Sequence, residues 1–291
     1  MPSDKRARQR AGRATRMAEL QRAQKRRRRN TRTIPVAVIA VAVVVVAIVI
    51  TGTSGSSKKK TTTASTATTT ATTAPSPSTT TVTPPTAPPV TGATKITGTT
   101  PCPSPAGSSP HVISFAKAPP LCITKGAAYT ATFDLNVGTV VVNLDTTKTP
   151  ITANNFVVLS LYHYYNDTAL FRTDPSIGII QGGSPSTQSA SDPGPGYTIP
   201  DEGKGYTYAP GDLVMARTSA PNSAGAQFFF CVTSACSNLN SQGTYVVFGH
   251  VTSGLSVLQN ILASSVTIPN SQLGGAPAKL TLVKQVTISQ S

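Results

Sequence analysis

The side chains of this chain with the most available chemistry are four cysteines, Cys102, Cys122, Cys231 and Cys236, and three histidines, His111, His163 and His250. Four cysteines allow three pairings, and proximity along the chain favours Cys102 with Cys122 and Cys231 with Cys236. The first pair would close a loop worth about 3 kcal/mol in the chain-entropy account of disulfides. Zinc finds no suitable ligand set, because there is no C-x-x-C pair and only the three histidines are left to add, so no metal is expected. A G-x-S-x-G elbow is absent, GPGYTIP from Gly194 is not a strand-to-helix phosphate loop, and no histidine has an evident Ser or Asp partner.

A different signal is an ordered series of short motifs. They are FRTDPSIGIIQGGSP at 171–185, PGPGYTIPDE at 193–202, LVMAR at 213–217, SAGAQFFF at 223–230 and YVVFGHV at 245–251. Taken singly, their residues have ordinary explanations: Phe228, Phe229 and Phe230 in a strand usually belong to a core, and Arg172 alone reads as a surface arginine. The spacing from Arg172 through QGG to AQFFF is what sets them apart.

These residues need a rigid frame. TATFDLNVGTVVVNLD, starting at Thr130, alternates, with Phe133, Leu135 and Val137 on one face and Val140, Val142 and Leu144 on one face after a turn at Gly138, which predicts a β-hairpin. Thr149 and Pro150 suit the N-cap and first position of a short helix carrying Ile151, Phe156, Val157, Leu159 and Leu161. Beyond it come short apolar runs separated by Gly, Pro and Ser, then a helical LSVLQNILAS and a final LTLVKQVTI. Many short strands with two helices predict a mainly β, closed barrel, since closure removes exposed sheet edges.

The motif series resembles the cyclophilins, the β-barrel family of peptidyl-prolyl cis-trans isomerases. The resemblance includes NNF at Asn154–Phe156 and runs from the first hairpin to near Ile288, over half the chain. It implies an eight-stranded antiparallel barrel capped by two α-helices, and it implies an enzyme that turns X-Pro bonds without a cofactor. That reaction crosses a barrier near 20 kcal/mol because amide resonance must be broken. It requires an apolar seat for the proline ring and donors that favour the twisted amide. By resemblance, Arg172 is that donor, and Arg172, Gln227 and Phe229 are the catalytic set. Gln181 and Gln227 would hold the peptide backbone, Phe229, Met215, Leu239 and Ile177 would form the proline pocket, and Ala216 and Tyr245 would line its rim.

The chain departs from the family pattern in several places. Phe171 stands where many members have His, the loop from Arg172 to Gln181 has a non-standard length, and Ile177 or Gly178 replaces a usual aromatic. Arg217 replaces a common Asn, and one extra residue precedes Gln227. Asn238 occupies the position of a Trp found in cyclosporin-sensitive members, so weak or no cyclosporin binding is expected. Proline-containing polypeptides are the expected partners. The alternative is a proline-peptide-binding or chaperone-like barrel that has lost turnover.

Charge and hydropathy place this domain at the end of a longer plan. The chain of 291 residues carries a net charge of +15, a figure that would suit a nucleic-acid binder. Yet residues 1–33 hold 13 basic residues and two acids, which accounts for +11 of it, and no nucleic acid is expected. Ile34 to Ile50 is an uninterrupted apolar run, and residues 34–53 are long enough for one transmembrane helix. The flanking arginines predict a cytoplasmic N-terminus and a single-pass protein of the cell membrane with everything after residue 53 outside. Residues 54–100, rich in Thr and Pro, read as a disordered stalk, and 101–126 as a cysteine-containing extension of a domain at 127–291. The four cysteines then lie where thiols are commonly oxidised. This plan is similar to that of Gram-positive actinobacterial surface proteins.

Overall fold

The structure, a computed structural model, describes residues 83–291. The basic tail, the expected span at 34–53 and the first part of the stalk lie outside the described residues. Among the described residues no helix is long and apolar enough to cross a membrane.

Alternation does produce the hairpin. Strand β3 (Tyr129–Leu135) pairs antiparallel with β4 (Gly138–Leu144), from Tyr129 opposite Leu144 to Leu135 opposite Gly138. Phe133, Leu135, Val140, Val142 and Leu144 are buried as a period of two requires. Val137 is not: it sits in the turn and is exposed, so the turn falls one step earlier than the pattern suggested.

The first helix, α1 (Pro150–Leu161), begins at its predicted proline, but every residue from Thr152 to Ser160 is buried. That explains its mixed spacing, since a helix covered on all sides has no polar face to mark. Its buried polar groups are matched instead. Asn154 Oδ1 accepts from the Cys122 and Ile123 amides at 2.7 and 3.2 Å, and Asn155 donates to the Gly225 carbonyl at 2.6 Å. Thr149 takes the N-cap position without a capping bond from its side chain. Glu202 supplies that function from far along the chain, accepting from the Ile151 and Thr152 amides at 2.9 and 2.6 Å.

The remaining elements are β5 (Thr168–Ala169), β6 (Arg172–Asp174), β7 (Ile179–Gly182), β8 (Asp212–Met215) and β9 (Phe228–Cys231). A 3-10 helix (Ser234–Leu239), β10 (Val247–Ser253), α2 (Leu255–Ala263), β11 (Ser265–Thr267), β12 (Gly275–Pro277) and β13 (Leu282–Gln290) complete the chain. One antiparallel sheet of 11 strands runs in the order β11-β12-β6-β7-β9-β8-β10-β4-β3-β13-β5. The expectation of eight strands in a closed ladder is corrected to a curled half-barrel whose outermost strands do not pair. Instead the chain passes directly from β5 at one edge to β6 near the other, separated by two residues, Leu170 and Phe171. The strand count rises because β5 at one edge and β11 and β12 at the other, only two or three residues each, join the sheet and are too short for hydropathy to register.

The stalk is also shorter than composition indicated. Strand β1 (Thr94–Ile96) pairs parallel with β2 (Val112–Phe115), and the Val90 amide donates to the Pro185 carbonyl at 2.8 Å, all before or across residue 100. Backbone pairing holds this segment, so its paucity of large apolar residues was misleading. Cys102 pairs with Cys122 and Cys231 with Cys236.

The Phe228–Phe230 run divides the interior in two. Phe228 and Phe230 point inward, with ring centroids 5.5 and 5.2 Å from Phe133. Phe229, on the opposite face of β9, joins a smaller cluster with Ile179, Val214, Leu239 and the buried Cys231–Cys236 pair. That second cluster forms the floor of the site described next.

Candidate active site

A cleft of about 600 Å³ opens over this outer cluster. Its polar side is a row of side chains from neighbouring strands. Arg172 on β6 lies opposite Gln181 on β7, which lies opposite Phe229 on β9. Arg172 Nη1 donates to Gln181 Oε1 at 2.8 Å, Gln181 Nε2 donates to Gln227 Oε1 at 2.9 Å, and Gln227 Nε2 donates to the Ala190 carbonyl at 3.3 Å. Each amide is thereby oriented by the one before it. The guanidinium is fixed further by Asp174, at 3.1 Å from Nη2, and by the Leu273 carbonyl, which accepts from Nε. Sharing three acceptors removes the rotamer freedom that a long side chain would otherwise lose on binding a ligand.

The apolar side is Phe229, Leu239, Ile177 and Ile179, with Ala216 and Tyr245 at the edge. Phe229 is 4% exposed and packs edge-on against Tyr245 with centroids 5.6 Å apart. Leu239 arrives on the 3-10 helix, which the Cys231–Cys236 disulfide ties to β9. Tyr245 is held by Tyr208, whose hydroxyl donates to the Tyr245 carbonyl at 3.1 Å and accepts from its amide at 2.9 Å. Burial pushes the Tyr208 phenol up to about 12, so it stays a neutral donor.

Of the residues expected from sequence, the structure brings Arg172, Gln181, Gln227, Phe229, Ile177, Ala216, Leu239 and Tyr245 to this one cleft. Met215 is the exception and is corrected: it is 1% exposed and belongs to the interior cluster with Phe228, whereas Val214 faces outward. Ile179 takes the place intended for it. Strand alternation carried that signal, because Gln181 faces the cleft and a residue two positions earlier shares its face. The choice between Ile177 and Gly178 is also resolved. Gly178 has φ +62° and its missing Cβ would overlap Thr233 Oγ1, so the backbone itself occupies that place and Ile177 lines the cleft. Asn238 donates to the Ser176 carbonyl at 3.1 Å, next to the seat, and Phe171 lies outside this cleft.

Asp174, Ala190 and Leu273 were not anticipated. Asp174 follows Arg172 by two on one strand and so shares its face, which was readable; the Leu273 contact spans 101 residues and was not. Arg217 lines the cleft and ties its wall together, donating from Nε to the Thr244 carbonyl at 3.1 Å and from Nη1 to the Ala220 carbonyl at 2.8 Å. Among the described residues no cluster of three or more His, Cys, Asp or Glu side chains could hold a metal.

The arrangement binds and polarises rather than attacks. It offers an apolar seat beside a fixed cation and two oriented amides, with no base positioned against a nucleophile. A family model described as cyclophilin type peptidyl-prolyl cis-trans isomerase matches residues 130–286, a span that contains every cleft residue named above. A peptidyl-prolyl cis-trans isomerase of Acinetobacter baylyi is 35% identical over 143 residues, covering 48% of this chain and 72% of that protein. Peptidyl-prolyl cis-trans isomerase B of Escherichia coli is 32% identical over 168 residues, covering 55% of this chain and 99% of its own. The corresponding enzyme B of Bacillus subtilis is 37% identical over 114 residues, covering 38% of this chain and 75% of its own. An apolar seat with a guanidinium held beside it, and a family match that spans residues 130–286 and every residue of that seat, lead to one conclusion: the chain belongs to the cyclophilin-type peptidyl-prolyl cis-trans isomerases.

Proposed function

We propose that this isomerase works outside the cell membrane, tethered by residues 34–53 and accelerating X-Pro isomerisation in exported or cell-surface polypeptides. The row from Arg172 through Gln181 to Gln227, beside the Phe229 seat, carries the catalytic part of the reading. In the planar amide the nitrogen lone pair is delocalised; as the bond twists, it localises and becomes basic. A guanidinium set beside the seat favours that form more than the planar one, and only such a difference accelerates the step. The amides fix the chain on either side so that rotation is confined to one bond.

What supports the outward placement is the order of the chain: an Arg-rich tail, an uninterrupted apolar run, then a domain in which all four cysteines are paired. In this reading the protein is a membrane-anchored type similar to actinobacterial surface proteins, and the Thr/Pro stalk holds the domain where unfolded chains emerge. Weak cyclosporin binding follows from Asn238 in place of the usual indole. The test of placement is protease treatment of intact cells expressing the full chain with an N-terminal tag. The domain should be cleaved away while the tag stays protected until lysis; a domain protected in intact cells would contradict it.

A further inference from the structure

A second, largely apolar cleft of about 340 Å³ adjoins the first. Phe171, Ile268 and Leu273 line it on the domain side, and Pro84 and Pro85 from the segment before β1 form its other wall. Ile268 and Leu273 are 37% and 46% exposed, unusual for large apolar side chains in this domain. The proline wall is fixed rather than draped. Gln188, itself 7% exposed, donates to the Pro88 carbonyl at 3.2 Å while its Oε1 accepts from the Ala169 amide at 2.7 Å. The Val90 amide adds its bond to the Pro185 carbonyl. This wall lies outside the span 130–286 matched by the family.

The two clefts share lining residues. Arg172, Ala190 and Leu273 line both, and the Ala190 carbonyl is where the row of amides ends. We propose that the second cleft is an extended substrate subsite, which takes an apolar side chain of the same polypeptide whose X-Pro bond sits against Arg172. An extended peptide advances about 3.3 Å per residue, so the side chain it captures is sought at each position within a few residues of the proline. Phe171 then acquires a use: it contributes apolar wall to the second cleft, where a histidine would have brought a polar ring. The preference this creates is for proline segments flanked by aliphatic residues, sequences that are buried once a substrate has folded.

The subsite rests on the isomerase assignment of the first cleft, and the experiment separates the two. X-Pro exchange is measured by NMR in eight-residue peptides of serine around one Ala-Pro, with a single Leu moved through every other position, using the full chain and its Ile268→Asp and Ile268→Ser forms. Leu at one position, on one side of the proline, should raise kcat/KM about tenfold over the all-serine peptide. That ratio should fall towards one in both variants, whose exposed position leaves thermal unfolding unchanged. Equal turnover wherever Leu is placed overturns the subsite but leaves the isomerase standing. A Leu preference that survives both variants, or one that vanishes as enzyme concentration rises because a second copy fills the cleft, also overturns it. No turnover of any peptide would instead indict the first cleft.

Discussion

Gly178 is a small residue on which the proline seat depends, and replacing it with alanine separates two physical costs. Its φ of +62° lies in the left-handed region, where a side chain costs about 1 kcal/mol. In addition, the new Cβ would overlap Thr233 Oγ1 and lie 3.3 Å from both Ala235 Cβ and the Cys236 amide nitrogen. Relieving such an overlap in packed surroundings costs about 1–3 kcal/mol, so Gly178→Ala should lose about 2–4 kcal/mol in all. The atoms that must move begin the 3-10 helix that delivers Leu239, so kcat/KM should fall about tenfold with the shift of that wall. Thr233→Ala removes the nearest obstacle, and because the Thr233 hydroxyl makes no capping bond it should cost little alone. The double variant should therefore regain the overlap part and most of the activity, leaving about 1 kcal/mol of backbone cost. Urea unfolding of the four proteins, with turnover measured on each, supplies the cycle. A Gly178→Ala protein within about 0.5 kcal/mol of the parent, or a double variant no better than Gly178→Ala, would refute the reasoning.

Three other perturbations follow from the same geometry. Glu202→Gln weakens charge-assisted bonds to the start of α1 at 2.9 and 2.6 Å and should lower stability by about 1–2 kcal/mol, read as a shift in urea midpoint. Tyr208→Phe removes both bonds to the Tyr245 backbone; KM for an X-Pro peptide should rise several-fold while the midpoint falls by about 1–2 kcal/mol. Burial raises the Tyr197 and Tyr208 phenols in the folded chain, Tyr208 to about 12, above the ordinary value of about 10. Between about pH 10 and 12 the unfolded chain therefore binds fewer protons, so stability should be fully present below pH 10 and decline above it. Urea midpoints at about pH 9 and 11 check the sign, and tyrosinate absorbance should rise at higher pH in the folded protein than in the urea-unfolded chain.

Much of the site was legible because its elements obey short-range periods. The Phe228–Phe230 run placed one ring in the cleft, the QGG motif placed Gln181, and chain proximity identified both cysteine pairs. Met215 lies in the LVMAR motif, but strand alternation sends its side chain inward beside Phe228, and Ile179 lines the seat instead. Long-range partners were beyond reach: Glu202 capping α1 lies about 50 residues from the groups it satisfies, as the hydrogen-bond separation of 50 to Thr152 shows. The same limit hid Leu273 behind Arg172 and the proline segment against Gln188. The edge strands β5, β11 and β12 escape hydropathy for a related reason, since pairings of two or three residues are set by their neighbours rather than by a pattern of their own.

In the proposed mechanism Arg172 acts on the twisting amide and does not merely hold a peptide. Protease-coupled turnover of an Ala-Pro peptide by residues 83–291 and by their Arg172→Ala form measures this directly, with unfolding curves to show that both are folded. Removal of a positioned transition-state donor should lower kcat/KM about 10²-fold or more, with the loss in kcat. Equal rates for the two proteins would contradict the mechanism.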